Sequence, residues 1–311
     1  MKSGKKYIIS IDQGTTSSRA LLFDSACKVL GSCSIEFNQI YPQPGWVEHS
    51  PNDIWNSQLK SLKKLVNENN IEINEVVSIG ITNQRETVIL WDRYTGKPVY
   101  NAIVWQCRRT TDICDKLKRN GFAEIIKDKT GLIIDAYFSG SKIKWILDNI
   151  NGVREKAKQG KICAGNVDSW LIWNLTGGKV HATDFSNASR TMLFNIKKLN
   201  WDDELLEIFD IPMHILPQVK NSSDLYGYLD KSILGKKIPI TAAIGDQQSA
   251  LFGQACINEG MIKCTYGTGC FILVNSGKSP AVIKNDLINP IAWVIGNEVT
   301  YALEGSIYIG G

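Results

Sequence analysis

Short apolar runs separated by polar turns open the chain. Tyr7 to Ile11, Arg19 to Phe23 and Val29 to Phe37 each have the length and pattern of a strand, and Gly14-Thr15-Thr16-Ser17-Ser18 supplies the turn between the first two, predicting a β-meander. The period then changes. Ser50-Pro51-Asn52-Asp53 reads as a helix start, with Ser50 as cap, Pro51 at the first helical position and Asp53 closing a capping box. The helix behind it is expected to bury Trp55, Leu59, Leu62 and Val66. Strand patterns return at Val76 to Ile81 and Val88 to Trp91, and helices are predicted at Thr110 to Lys118 and Trp201 to Phe209. The alternation is that of an α/β protein.

A new block begins with an apolar strand, Ile238 to Ile244, running into Gly245-Asp246-Gln247-Gln248 and a helix through Leu251. Two more strands, Met261 to Tyr266 and Cys270 to Asn275, flank Gly267-Thr268-Gly269. A glycine-threonine turn between two strands, once in each half, suggests two related lobes facing one ligand. The expected boundary divides residues 1–234 from 235–311. After Asn275 the chain reads as two further strands with no helices to cover their sheet, so the second lobe is expected to be incomplete.

Composition narrows the classes. The 311 residues are 43% apolar and 21% charged, with 9 Trp, 10 Tyr and 9 Phe, which excludes disorder as the main theme. The net charge of +4 arises from 35 basic and 31 acidic residues interspersed along the chain, so nucleic acid is not an expected partner. No stretch has the ~18 apolar residues of a membrane span, and the apolar run after the basic start stops at Asp12, too short for a signal peptide. The eight cysteines form no C-x-x-C pair and the three histidines lie far apart, which argues against structural zinc and for a cytoplasmic protein with reduced thiols.

The candidate chemistry sits in turns. In Asp12-Gln13-Gly14-Thr15-Thr16-Ser17-Ser18-Arg19, a tight turn at Gly14 lets N–H groups and hydroxyls converge as in a phosphate-gripping loop, and Asp12 is positioned to hold Mg²⁺ through water. A polar hairpin turn explains the same residues equally well. Arg85 and Glu86 adjoin at a strand end, offering donors and acceptors for several hydroxyls of a small polyol, or simply a surface salt bridge. Trp105 offers an aromatic face for a carbon backbone or a core side chain. Asp246, at a strand-to-helix junction, suits a general base or a helix N-cap.

These segments, with Trp105-Gln106-Cys107-Arg108-Arg109 and Tyr137-Phe138-Ser139-Gly140-Ser141-Lys142-Ile143-Lys144-Trp145-Ile146-Leu147-Asp148-Asn149, jointly resemble the FGGY carbohydrate kinases, in particular those that phosphorylate glycerol. The resemblance extends from Tyr7 to Gly311. It implies two ribonuclease-H-like lobes of the actin/hexokinase type and transfer of the γ-phosphoryl of ATP to glycerol, giving glycerol 3-phosphate. It places Arg85, Glu86, Trp105, Tyr137, Asp246, Gln247 and Phe271 around glycerol, with Asp246 as base and Asp12 and Asp246 toward Mg²⁺. Gly14, Thr15, Thr16, Ser17 and Arg19 are implied to meet the nucleotide from one side, and Gly267, Thr268, Gly269 and Gly311 from the other. The expected partners are glycerol and ATP, without stable membrane insertion; a homo-oligomer stays open. So do a kinase for another polyol or sugar and a non-catalytic nucleotide-binding fragment.

Overall fold

The computed structural model describes residues 6–266, 270–281 and 287–307. Its centre is a ten-stranded mixed sheet. In chain order the strands are β1 (Tyr7–Gln13), β2 (Ser17–Phe23), β3 (Val29–Glu36), β4 (Val76–Asn83), β5 (Ser223–Tyr228), β6 (Pro239–Gly245), β7 (Ile262–Tyr266), β8 (Cys270–Gly277), β9 (Ile291–Ile295) and β10 (Glu298–Ile307). Across the sheet they run β7-β8-β10-β9-β5-β6-β4-β1-β2-β3. The meander β1-β2-β3 is antiparallel, whereas β1, β4 and β6 lie parallel and end at the same edge. In β1 the inward residues Tyr7, Ile9 and Ile11 are buried and Ile8 is exposed, the period-two pattern of a half-buried strand.

Helix α1 (Pro51–Glu68) starts as expected, with Ser50 Oγ accepting from the Asp53 N–H at 3.2 Å. Its buried stripe is rotated from the expected one: Ile54, Leu62, Leu65 and Val66 face the core, while Trp55 and Leu59 are only partly buried. The difference is made by small and polar residues, since Ser57, Gln58 and Ser61 also lie inward against the meander, where Ser57 bonds Ser18 and Gln58 bonds the Arg19 carbonyl. The helix expected from Trp201 begins at Asp203, because Asp202 caps it by accepting from the Leu205 N–H. Trp201 belongs instead to a two-residue strand.

The strand expected to open a second lobe, β6, extends the first sheet: Ile240 pairs with Ile79 of β4, and Gly227 of β5 pairs with Ile240. The expected division after residue 234 therefore falls between two hydrogen-bonded strands of one sheet. Three further helices matter for the site: α2 (Ser139–Asn149), α3 (Val167–Leu175), packed beneath the sheet, and α4 (Asp246–Gly253), which follows β6 directly. One large core packs α1 and α3 on the meander and β4, and a small one joins Leu251 to Phe271, Leu273 and Trp293. The second glycine-threonine turn lies outside the described residues.

Candidate active site

The carboxyl ends of β1, β4 and β6 stand side by side, with Gln13, Asn83 and Gly245 in register. In sheets of this kind that edge is where ligands bind. Asp12 is the penultimate residue of β1, and Asp246 is the first residue of α4. The N-cap position belongs to Gly245, so capping does not account for Asp246; its Oδ1 accepts from the next N–H, that of Gln247, at 2.7 Å. Both carboxyls lie above the usual aspartate range. Burial is the main cause in each; Arg19 opposes it at Asp12 and Arg85 at Asp246, while the charge of Asp12 pushes Asp246 further up. A cation beside both would relieve this repulsion. Magnesium binds through one or two carboxylates, substrate phosphates and several waters, so the pair fits it, although no group of three or more His, Cys, Asp or Glu among the described residues makes a protein-only metal cage.

The hairpin between β1 and β2 is held from behind. Gly14 N–H donates to the Ser17 carbonyl at 2.9 Å, and a Cβ at Gly14 would stand 3.3 Å from that oxygen. Gln84 Nε2 donates to the Gly14 carbonyl at 3.1 Å and Gln39 Nε2 to the Thr15 carbonyl at 3.0 Å. His49 lies between these two amides, donating from Nε2 to Gln39 Oε1 at 2.6 Å and facing Gln84 with Nδ1. Burial drives its imidazole down to about 4, so it is neutral. Thr16 and Arg19 are left exposed and Thr15 and Ser17 half-buried on the open side.

After β4 the chain makes a three-residue turn in which the Thr87 N–H donates to the Arg85 carbonyl at 2.7 Å. Glu86, between them, has φ 58°, a conformation that costs a residue with a Cβ about 1–3 kcal/mol. The turn separates the two side chains: Arg85 Nε and Glu86 Oε1 are 3.8 Å apart and each has a closer partner elsewhere. Arg85 donates to both oxygens of Glu304, at 2.7 and 3.0 Å, and to Tyr137 Oη at 3.3 Å, while its Nε is 3.3 Å from Asp246 Oδ1. Glu86 pairs with Arg190, which also donates to Glu304 at 3.2 Å. The residue pair read from sequence as a polyol site or a surface bridge is thus half of a buried lattice of two guanidiniums and two carboxylates, none more than 3% exposed. Burial alone would raise Glu304, but Arg190 and Arg85 outweigh it and hold the carboxyl at about 2. For Glu86 burial dominates and its pKa is raised.

Aromatic rings close the recess. Trp105 donates its indole N–H to Thr15 Oγ1 at 3.0 Å and meets Tyr137 and Phe271 edge-on at 5.8 and 6.3 Å. It thereby joins the hairpin to the Arg85 lattice. The Arg85 guanidinium stands 5.9 Å from the Phe271 ring centre. Lys142, fully buried at the start of α2, donates to the carbonyls of Tyr137 and Phe138 and so holds the tyrosine backbone. Arg109 does not reach the site; it pairs with Glu48 at 2.7 Å and lies over the Trp46 ring.

The structure therefore gathers Asp12, Thr15, Arg85, Glu86, Trp105, Tyr137, Asp246 and Phe271 at one sheet edge. Gln247 adjoins Asp246, and its Oε1 accepts from Lys263. Gly267, Thr268, Gly269 and Gly311 lie outside the described residues. Glu304, Arg190 and Lys263 were not foreseen. Glu304 had one readable signal, a lone carboxylate after the apolar run Tyr301-Ala302-Leu303.

Sheet, hairpin and paired carboxylates are of the ribonuclease-H-like, actin/hexokinase type. The chain belongs to the FGGY family of carbohydrate kinases, whose N-terminal domain profile matches residues 7–253. It is 61% identical to glycerol kinase 2 of Thermotoga maritima, over 98% of this chain and 62% of that protein, and 60% identical to the glycerol kinase of Caldanaerobacter subterraneus subsp. tengcongensis over the same shares. The crystal structure of Plasmodium falciparum glycerol kinase with ADP superimposes with a TM-score of 0.93 at 39% identity, covering 97% of this chain and 61% of that one. Ligand-bound xylulose kinase from Lactobacillus acidophilus shares the fold, with a TM-score of 0.88 at 24% identity over 98% of this chain and 61% of that one. The chain spans about three-fifths of the length of the relatives it matches.

Proposed function

We propose that the protein phosphorylates glycerol with ATP, and that this chain carries the polyol site and one wall of the nucleotide site. The observation that carries the reading is the convergence of Arg85, Trp105, Tyr137, Phe271 and Asp246 beside the Thr15 hairpin, in a chain about 60% identical to curated glycerol kinases. Arg85 and Glu86 face the hydroxyls, the aromatic rings pack on the carbon backbone, and Gln247 and Asp246 meet the hydroxyl that reacts. The oxygen of that hydroxyl attacks the γ-phosphorus in line as the bond to the bridging oxygen of ADP breaks. Its proton passes to Asp246, whose carboxylate is held beside the Gln247 N–H and 3.3 Å from Arg85 Nε. Thr15, Thr16, Ser17 and Arg19 hold phosphate oxygens. Asp12 and Asp246 would hold Mg²⁺, which supplies positive charge to the transferring phosphoryl group.

In this reading Gly14, Gly267, Thr268, Gly269 and Gly311 complete the nucleotide contacts. The first lobe, assigned from sequence to residues 1–234, takes in β6, and the second begins after α4. No helix among the described residues is long and apolar enough to cross a membrane. The cytoplasmic location is proposed from the eight cysteines, which form no C-x-x-C pair and read as reduced thiols. Calorimetric titration of glycerol, with and without a non-hydrolysable ATP analogue, tests the site: binding is expected in the wild type and weakened at least tenfold in Arg85→Ala, since a hydrogen bond to a charged side chain contributes about 1.5–3 kcal/mol. Equal affinity in the two proteins overturns the assignment.

A further inference from the structure

Lys263 lies on β7, which carries no other residue of the polyol site, and is 4% exposed. Its Nζ donates to Gln247 Oε1. The amide nitrogen of Gln247 is turned the other way, 3.5 Å from Asp246 Oδ2, and both Gln247 and Asp246 are partly exposed. An amide side chain has one accepting and one donating end, and an ammonium donates only. A lysine on one side of Gln247 therefore decides which end faces the other.

We infer that Lys263 is a positioning residue that fixes Gln247 with its N–H groups toward the substrate hydroxyl at Asp246. The inference rests on the polyol reading of the site and deepens it. A hydroxyl between Gln247 Nε2 and Asp246 Oδ2 accepts from the first and must direct its own proton at the second. The alternative amide orientation would offer an oxygen, compete for that proton and leave the hydroxyl free to point away from Asp246. Lys263 thus sets the direction of the hydrogen bond along which the reacting proton leaves.

The test is a double-mutant cycle, measured as kcat/KM for glycerol and, separately, KM for ATP. Lys263→Met removes the donor at similar length and is expected to lower kcat/KM for glycerol on the order of tenfold with KM for ATP unchanged, the scale of one misdirected hydrogen bond. Lys263→Arg, which can only donate, restores the value to within about threefold. In a Gln247→Ala background, Lys263→Met has no further effect, because the residue through which it acts is gone. Additive losses in the double variant, or a Lys263→Met enzyme that matches the wild type on glycerol, overturn the inference and leave the polyol site standing. A wild-type protein with no glycerol-dependent turnover overturns both.

Discussion

Glu304→Gln separates a shape-filling role for this strand residue from an electrostatic one. Glu304 accepts two bonds from Arg85 and one from Arg190, all at 3.2 Å or less, and is 1% exposed. Glutamine keeps the shape and one acceptor oxygen but turns an amide donor toward a guanidinium and leaves Glu86, with Asp246 beside Arg85, to balance both arginines. The folded carboxyl, held at about 2 against an ordinary 4.5, corresponds to about 3 kcal/mol at ~1.36 kcal/mol per pKa unit. Removal of one partner from a buried ion pair costs about 3–5 kcal/mol, which agrees. The variant is therefore expected to lose about 3 kcal/mol of unfolding free energy at pH 7 by urea denaturation. Because the folded pKa lies below the unfolded one, the contribution is present above about 4.5 and is lost as pH falls toward about 2. The difference between the two proteins should therefore begin to close below about pH 4.5. An unchanged midpoint at pH 7, or a difference that widens on acidification, would refute the electrostatic account.

Asp246→Asn should lower kcat by about 10²–10⁴ without lowering the melting temperature, because Gly245 holds the N-cap and the charge removed is one that burial disfavours; thermal melts and coupled-assay turnover check both halves. Gly245→Ala should raise KM for glycerol several-fold, since the added Cβ would stand 2.9 Å from Arg85 Cδ and from Gln248 Oε1; a KM within error of the wild type would contradict it. His49 is held at about 4 against an ordinary 6.5, so the unfolded chain takes up the proton first and stability should fall as pH drops from about 6.5 to about 4. His49→Gln should flatten that slope. Asp168, buried with its pKa raised to about 7, gives the opposite sign: its contribution is present at low pH and lost as pH rises from about 4 through about 7, so Asp168→Asn should stabilise the protein at pH 8 in thermal melts.

Much of this architecture was legible because local signals and tertiary structure agree in the meander, at the Ser50 cap and at the strand-to-helix junction of Asp246. The stripe on α1 was not, because hydrogen-bonded Ser57, Gln58 and Ser61 take inward positions that hydrophobicity assigns to solvent. The site was legible residue by residue but not in its pairing. Adjacency suggested an Arg85–Glu86 pair, whereas the left-handed turn at Glu86 sends each side chain to a partner more than 100 residues away in sequence. Such partners leave no local pattern: Arg190 follows a short helix and Glu304 interrupts an apolar strand. The break read after residue 234 rested on a change of local pattern, and it lies in the connection between β5 and β6.

The central claim is that this recess selects glycerol as the phosphoryl acceptor. ADP release by the protein expressed from its own gene, supplied with Mg·ATP and either glycerol, xylulose or gluconate, measures that directly. The account predicts turnover with glycerol that exceeds that with either sugar by at least a hundredfold in kcat/KM. Release with xylulose or gluconate and none with glycerol would contradict it.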